Sequence, residues 1–143
     1  MLTIKSPVFR FAQLNADKSG PRTYLYTFDY FGEHTAFTLS ANPDSYPFKG
    51  GVYHGDENFF LIAFRELNCR DTKIAKTMVE MWTSFAIQGK PKAEGVTKWK
   101  PITESFNGAY LHINETCKLG SNFRDEFMIT VNDPCKSNSL IKD

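Results

Sequence analysis

Two stretches of this chain carry apolar residues at helical spacing, and two others carry them at strand-like spacing. The first helical stretch follows Ser6-Pro7, a capping residue and a proline suited to a first turn. It predicts a helix to about residue 18 that buries Val8, Phe11, Ala12 and Leu14 and stops at Ser19-Gly20-Pro21. Residues 22–30, RTYLYTFDY, predict a strand with Tyr24, Tyr26, Phe28 and Tyr30 on one face and Leu25, Thr27 and Asp29 on the other. Both faces are largely apolar or aromatic, as in a central strand covered by helices on two sides. A polar, proline-bearing loop is expected from Gly32 to Gly50, and Phe59 to Phe64 reads as a short buried segment. The strongest helical pattern runs over 72–88, capped by Asp71, with Ile74, Ala75, Met78, Met81, Trp82, Phe85 and Ala86 on one face. Gly89 and Pro91 end it. Residues 109–113, AYLHI, predict a strand of alternating burial, 122–130 a last helix, and 132–143 a polar tail.

Composition narrows the possibilities. The chain has 143 residues, 41% hydrophobic and 15% aromatic, enough for one domain with a core. The net charge is +1 with both signs interspersed, so no nucleic-acid or acidic-membrane partner is expected. No apolar run approaches the roughly 18 residues of a membrane span. Residues 1–7 lack a charged stretch followed by an apolar one and do not read as a signal peptide. Cys69, Cys117 and Cys135 show no C-x-x-C spacing, so no zinc or redox site is expected. Asn114-Glu115-Thr116 is a glycosylation sequon, which points to a secreted context.

The candidate chemistry centres on His54. Gly50, Gly51 and Gly55 surround it, and glycine frees the backbone for the sharp turn that exposes a general base. His34 and His112 read as ordinary solvated residues. Asp56 and Glu57 follow His54 too closely to converge with it on a metal ion, and no H-x-H or H-E-x-x-H is present, so no metal or other cofactor is expected. An acid here is expected to bond neighbouring backbone or tune the histidine. None of the nine serines has glycine two positions before it, so the G-x-S-x-G elbow of a serine nucleophile is absent from these residues, as are oxyanion and phosphate-binding glycine loops.

The stretches VFRFAQLNA, TYLYTFDY, GVYHGDENFFLIAF, TMVEMWTSFAIQGKPK, then Trp99-Lys100-Pro101 and AYLHI, stand in an order and spacing that resemble the C-terminal part of the type-B carboxylesterases. That family includes cholinesterases and insect esterases. The resemblance covers about residues 6–130. It implies an α/β class, the C-terminal portion of an α/β-hydrolase fold (last sheet strands with flanking helices), with residues 1–131 an incomplete domain and 132–143 a tail. It matches His54 to the catalytic histidine and Glu57 to an acid kept buried near the active site. Asn58 departs from the usual aliphatic residue, and the loop from Phe64 to Asp71 is shorter than in many members. The implied partners are a small-molecule carboxylic ester and the missing N-terminal part of the same domain, which would supply serine, oxyanion loop and triad acid. The expected product is an esterase fragment, inactive alone. The alternative is a non-catalytic cholinesterase-like adhesion or interaction domain. By family habit the chain is a secreted glycoprotein glycosylated at Asn114, with disulfides from Cys117 and Cys135 to outside partners; the cytoplasm is the alternative.

Overall fold

The first helix begins earlier than the Ser6-Pro7 pair predicts: α1 spans Leu2–Ala16 with Pro7 inside it. Among its described side chains Phe9 and Ala12 are buried, with Ala16 packed at the margin, a stripe spaced by three and four. The expected core residues Val8, Phe11 and Leu14 are exposed instead, because they lie on a different face from Phe9. The structure, a computed structural model, describes residues 2–16, 22–36, 50–62, 64–96, 98–103 and 108–127. The predicted tail 132–143, the end of the predicted last helix and most of the loop before Gly50 lie outside the described residues.

The remaining elements are β1 (Leu25–Phe28), α2 (Asn58–Leu61), α3 (Cys69–Gln88), β2 (Tyr110–Ile113), β3 (Lys118–Gly120) and α4 (Phe123–Phe127). The three strands form one sheet in the order β1-β2-β3. β1 was expected at the centre of a sheet, but β2 holds that place among the described strands. Four residues join β2 to β3, a length that only an antiparallel connection allows. In β1, Leu25 and Thr27 are buried and Tyr26 and Phe28 half-buried, while β2 buries Tyr110, Leu111 and Ile113, so its burial does not simply alternate.

The chain divides into two units, each with its own packing. In the first, Phe9, Ala12, Leu25, Ile102, Tyr110 and Phe123 form the core. Phe9 stacks on Phe123 at 5.4 Å and Tyr110 meets Phe123 edge-on at 5.5 Å. Such pairs add about 0.5–1.5 kcal/mol beyond area burial. Gly120 is required here: a Cβ would lie 2.0 Å from the Tyr110 ring.

In the second unit, α3 buries Ile74, Met78 and Met81 as its periodicity predicts, whereas Trp82, Phe85 and Ala86 are exposed. The helix starts at Cys69, and its cap is Asn68, whose side chain accepts the Arg70 and Asp71 N–H groups at 3.0 and 2.8 Å. Asp71 was expected as the cap; it sits one turn inside, buried, and turns to other donors. Gly89 ends the helix at φ 62°, its N–H bonded to Phe85. The segment 59–64, expected to be buried, is mostly not: Phe59, Phe60 and Leu61 belong to α2, and among its described residues only Phe60 is buried, with Ile62 and Phe64 exposed. The Asn58, Phe59 and Phe60 N–H groups of α2 donate to the carbonyls of Gly55, Asp56 and Glu57 in the turn immediately before it, and that imposes the helical period.

Candidate functional site

His54 occupies the second position of a four-residue turn, Tyr53-His54-Gly55-Asp56, closed by the Asp56 N–H donating to the Tyr53 carbonyl at 3.2 Å. Gly55 takes the third position with φ 91°, the positive value that a type II turn demands there. The next N–H groups, of Asn58 and Phe59, donate back to Gly55 and Asp56 and carry the chain into α2. His54 is exposed at the tip, as a base that must meet an external hydroxyl requires.

Asp56 turns inward and is only 1% exposed. One carboxylate oxygen accepts the Tyr53 N–H at 2.7 Å and the other accepts the Ala36 N–H at 2.7 Å. This is the backbone-bonding acid expected behind the histidine. Glu57, matched by resemblance to a buried acid, is only half-buried, caps α2 without a side-chain bond, and so departs from that expectation. Its charge nevertheless reaches Tyr26, whose hydroxyl is pushed up to about 12, first by burial and then by Glu57. Asn58 is exposed, so replacing an aliphatic residue there leaves the interior untouched.

The other candidates sit elsewhere. His112, expected to be solvated, is half-buried, with Nε2 2.9 Å from Asp29 Oδ2: the closeness of an ion pair without the alignment of a hydrogen bond. Asp29 also donates its N–H to Ile113. His34 is half-buried. Asn114 lies on the bend between β2 and β3, its side-chain oxygen accepting the Glu115 N–H at 2.8 Å. Cys69 and Cys117 carry free thiols, and burial pushes the Cys117 thiol up. Among the described residues no three His, Cys, Asp or Glu side chains are grouped to hold a metal ion, and no helix is long and apolar enough to cross a membrane.

Sequence reasoning found the His54 turn but not the second buried carboxylate, Asp71. It accepts the Tyr30 hydroxyl at 2.7 Å and the Glu33 N–H at 3.0 Å. Its position one turn inside a helix start gave it the look of a cap; the apolar i, i+3, i+7 line it shares with Ile74 and Met78 was the signal that it faces inward.

The described residues thus hold a small sheet with helices and an exposed histidine on a glycine turn. The chain belongs to the carboxylesterase family, which it matches over residues 1–130. Membership implies the α/β-hydrolase fold, and the small sheet seen here is consistent with a piece of it. Among curated relatives, esterase E4 of Myzus persicae is 31% identical over 98 residues, 66% of this chain and 18% of the relative. Glutactin of Drosophila melanogaster is 35% identical over 88 residues, 58% of this chain and 8% of the relative. Carboxylesterase 1C of Mus musculus is 29% identical over 112 residues, 76% of this chain and 19% of the relative. The chain thus spans less than a fifth of the length of each.

Proposed function

We propose that these residues contribute the general base, His54, to a serine esterase acting on small carboxylic esters. In this reading His54 takes the proton of a serine hydroxyl as its oxygen attacks the ester carbonyl, then returns it to the departing alcohol as the C–O bond breaks. A water repeats the cycle and releases the acid. The nucleophile, oxyanion donors and triad acid come from protein outside these 143 residues. The observation that carries the reading is the family match running through an exposed histidine on a Gly55 turn. We further read the chain as passing through the secretory route with a glycan on Asn114.

The test has two arms. The purified chain alone gives no turnover of p-nitrophenyl acetate above background; a burst of product abolished by His54→Ala contradicts that. Transplanted in place of the matching part of an active family esterase, the chain supports turnover that His54→Ala removes.

The second reading is a non-catalytic interaction domain, since a family match fixes the fold without fixing an activity. A transplant that folds, binds ester and shows no dependence on His54 favours it.

A further inference from the structure

We propose that Asp56 is the positioning residue of this site, holding His54 in place through the backbone on both sides of the turn and never touching the imidazole. The inference rests on the reading of His54 as the base, and deepens it.

The geometry excludes the other roles open to a buried acid. An isolated carboxylate taken out of water is costly unless its oxygens are bonded. At 1% exposure, Asp56 has one bond per oxygen, each to a backbone N–H at 2.7 Å. Among the described residues no cation pairs with it, and its two carboxylate bonds go to the Tyr53 and Ala36 N–H groups, not to His54. A triad acid must reach the imidazole; the Asp56 carboxylate instead turns inward to the Tyr53 and Ala36 N–H groups. Asp56 therefore acts on the histidine through the chain.

What it fixes follows from the bond partners. Tyr53 and Asp56 are bonded reciprocally: the Asp56 N–H donates to the Tyr53 carbonyl, and the Tyr53 N–H donates to the Asp56 carboxylate. His54 and Gly55 are the two residues enclosed. The second oxygen reaches Ala36, twenty positions earlier, so the turn is tied to the segment that continues from β1. That segment is itself held by Asp71 through Tyr30 and Glu33. Two buried carboxylates thus connect the sheet side to the loop, and the last link in that series is the one beside His54. Charge-assisted bonds to N–H groups are the strong kind, and a short side chain carries them with little entropy to lose.

The experiment uses the full chain and reads backbone amide exchange together with the His54 ring signals in nuclear magnetic resonance. In the unchanged chain the Tyr53 and Ala36 amides exchange slowly and His54 gives a single ring environment. Asp56→Ala speeds exchange at both amides by about tenfold to a hundredfold and averages the His54 ring signals, while the signals of the Phe9, Tyr110 and Phe123 core stay put. Asp56→Asn, which keeps one acceptor oxygen, leaves one of the two amides protected. Unchanged ring signals in Asp56→Ala overturn the proposal, as does fast exchange at both amides before any substitution. Loss of ordering at His54 with the transplanted esterase at full turnover sinks the catalytic reading of His54 and leaves the backbone role of Asp56 standing, so the two failures are distinct.

Discussion

The Tyr30 hydroxyl donates to Asp71 Oδ1 at 2.7 Å, joining the end of β1 to the first turn of α3 across 41 positions of sequence. Both groups are 1% exposed, and the Phe60 ring packs edge-on against Tyr30 at 5.5 Å. Burial, followed by the hydrogen bond to Asp71 and its charge, pushes the Tyr30 hydroxyl up to about 12.

That shift, with the similar one at Tyr26, sets an alkaline limit. In the unfolded chain both tyrosines ionise near 10, so the folded state holds the protons more tightly. The stabilisation is complete below pH 10 and is lost as pH rises from about 10 through about 12. Absorbance titration of the phenolates is expected to show Tyr26 and Tyr30 ionising late. Tyr30→Phe removes one late step and leaves Asp71 with a single donor, at a cost of about 1–3 kcal/mol in denaturant melts.

Gly32 lies against this same pair. A Cβ there would come within 2.7 Å of the Phe60 ring and 3.1 Å of the Asp71 carboxylate. Since Phe60 and Asp71 are both buried, neither yields easily, and Gly32→Ala is expected to cost about 1–3 kcal/mol. Gly51→Ala, with nothing within 4 Å of the added carbon, serves as the control and melts within about 0.5 kcal/mol of the parent.

The outer face of α1 carries Ile4, Val8 and Phe11, spaced by four and three, with Phe11 67% exposed. An apolar stripe in water recruits hydrophobic partners. The isolated chain is expected to bind an environment-sensitive dye such as anilinonaphthalene sulfonate, and Val8→Glu with Phe11→Ser to reduce that binding. Because neither side chain is buried, the melt should move by no more than about 0.5 kcal/mol per substitution.

Asn114 presents its sequon on a bend, with Glu115 and Thr116 exposed and Arg70 paired to Glu115. Expressed through a eukaryotic secretory route, the chain is expected to carry one glycan there. Intact-mass measurement before and after peptide N-glycosidase checks this; no mass change, or a change that persists in Asn114→Gln, contradicts it.

The parts legible in the sequence were those with local causes. The periodicity of 74, 78 and 81, the Gly89 stop and the Gly55 turn depend on residues a few positions apart, and each reads off the pattern. The cap of α3 was misplaced because Asn68 and Asp71 are both good cap residues, and tertiary donors on Tyr30 and Glu33 decided between them. The exposed side of α1 was misread for a related reason: its apolar residues occupy two faces, and only the position of Phe123 selects Phe9 over Phe11. His112 could not be paired with Asp29 beforehand, since strand neighbours 83 positions apart leave no local trace. The role of Asp56 was legible in kind, an acid bonding backbone behind the histidine, but its second partner at Ala36 was not.

The most direct measurement compares the three histidines in the transplanted esterase, by steady-state hydrolysis of p-nitrophenyl acetate. His54→Ala is expected to lower kcat by about ten-thousandfold or more with little change in KM, the loss seen when a catalytic base is removed. His34→Ala and His112→Ala should stay within a few-fold of the parent. Equal kcat for His54→Ala and His112→Ala, in variants that melt alike, would contradict the assignment of the base to residue 54.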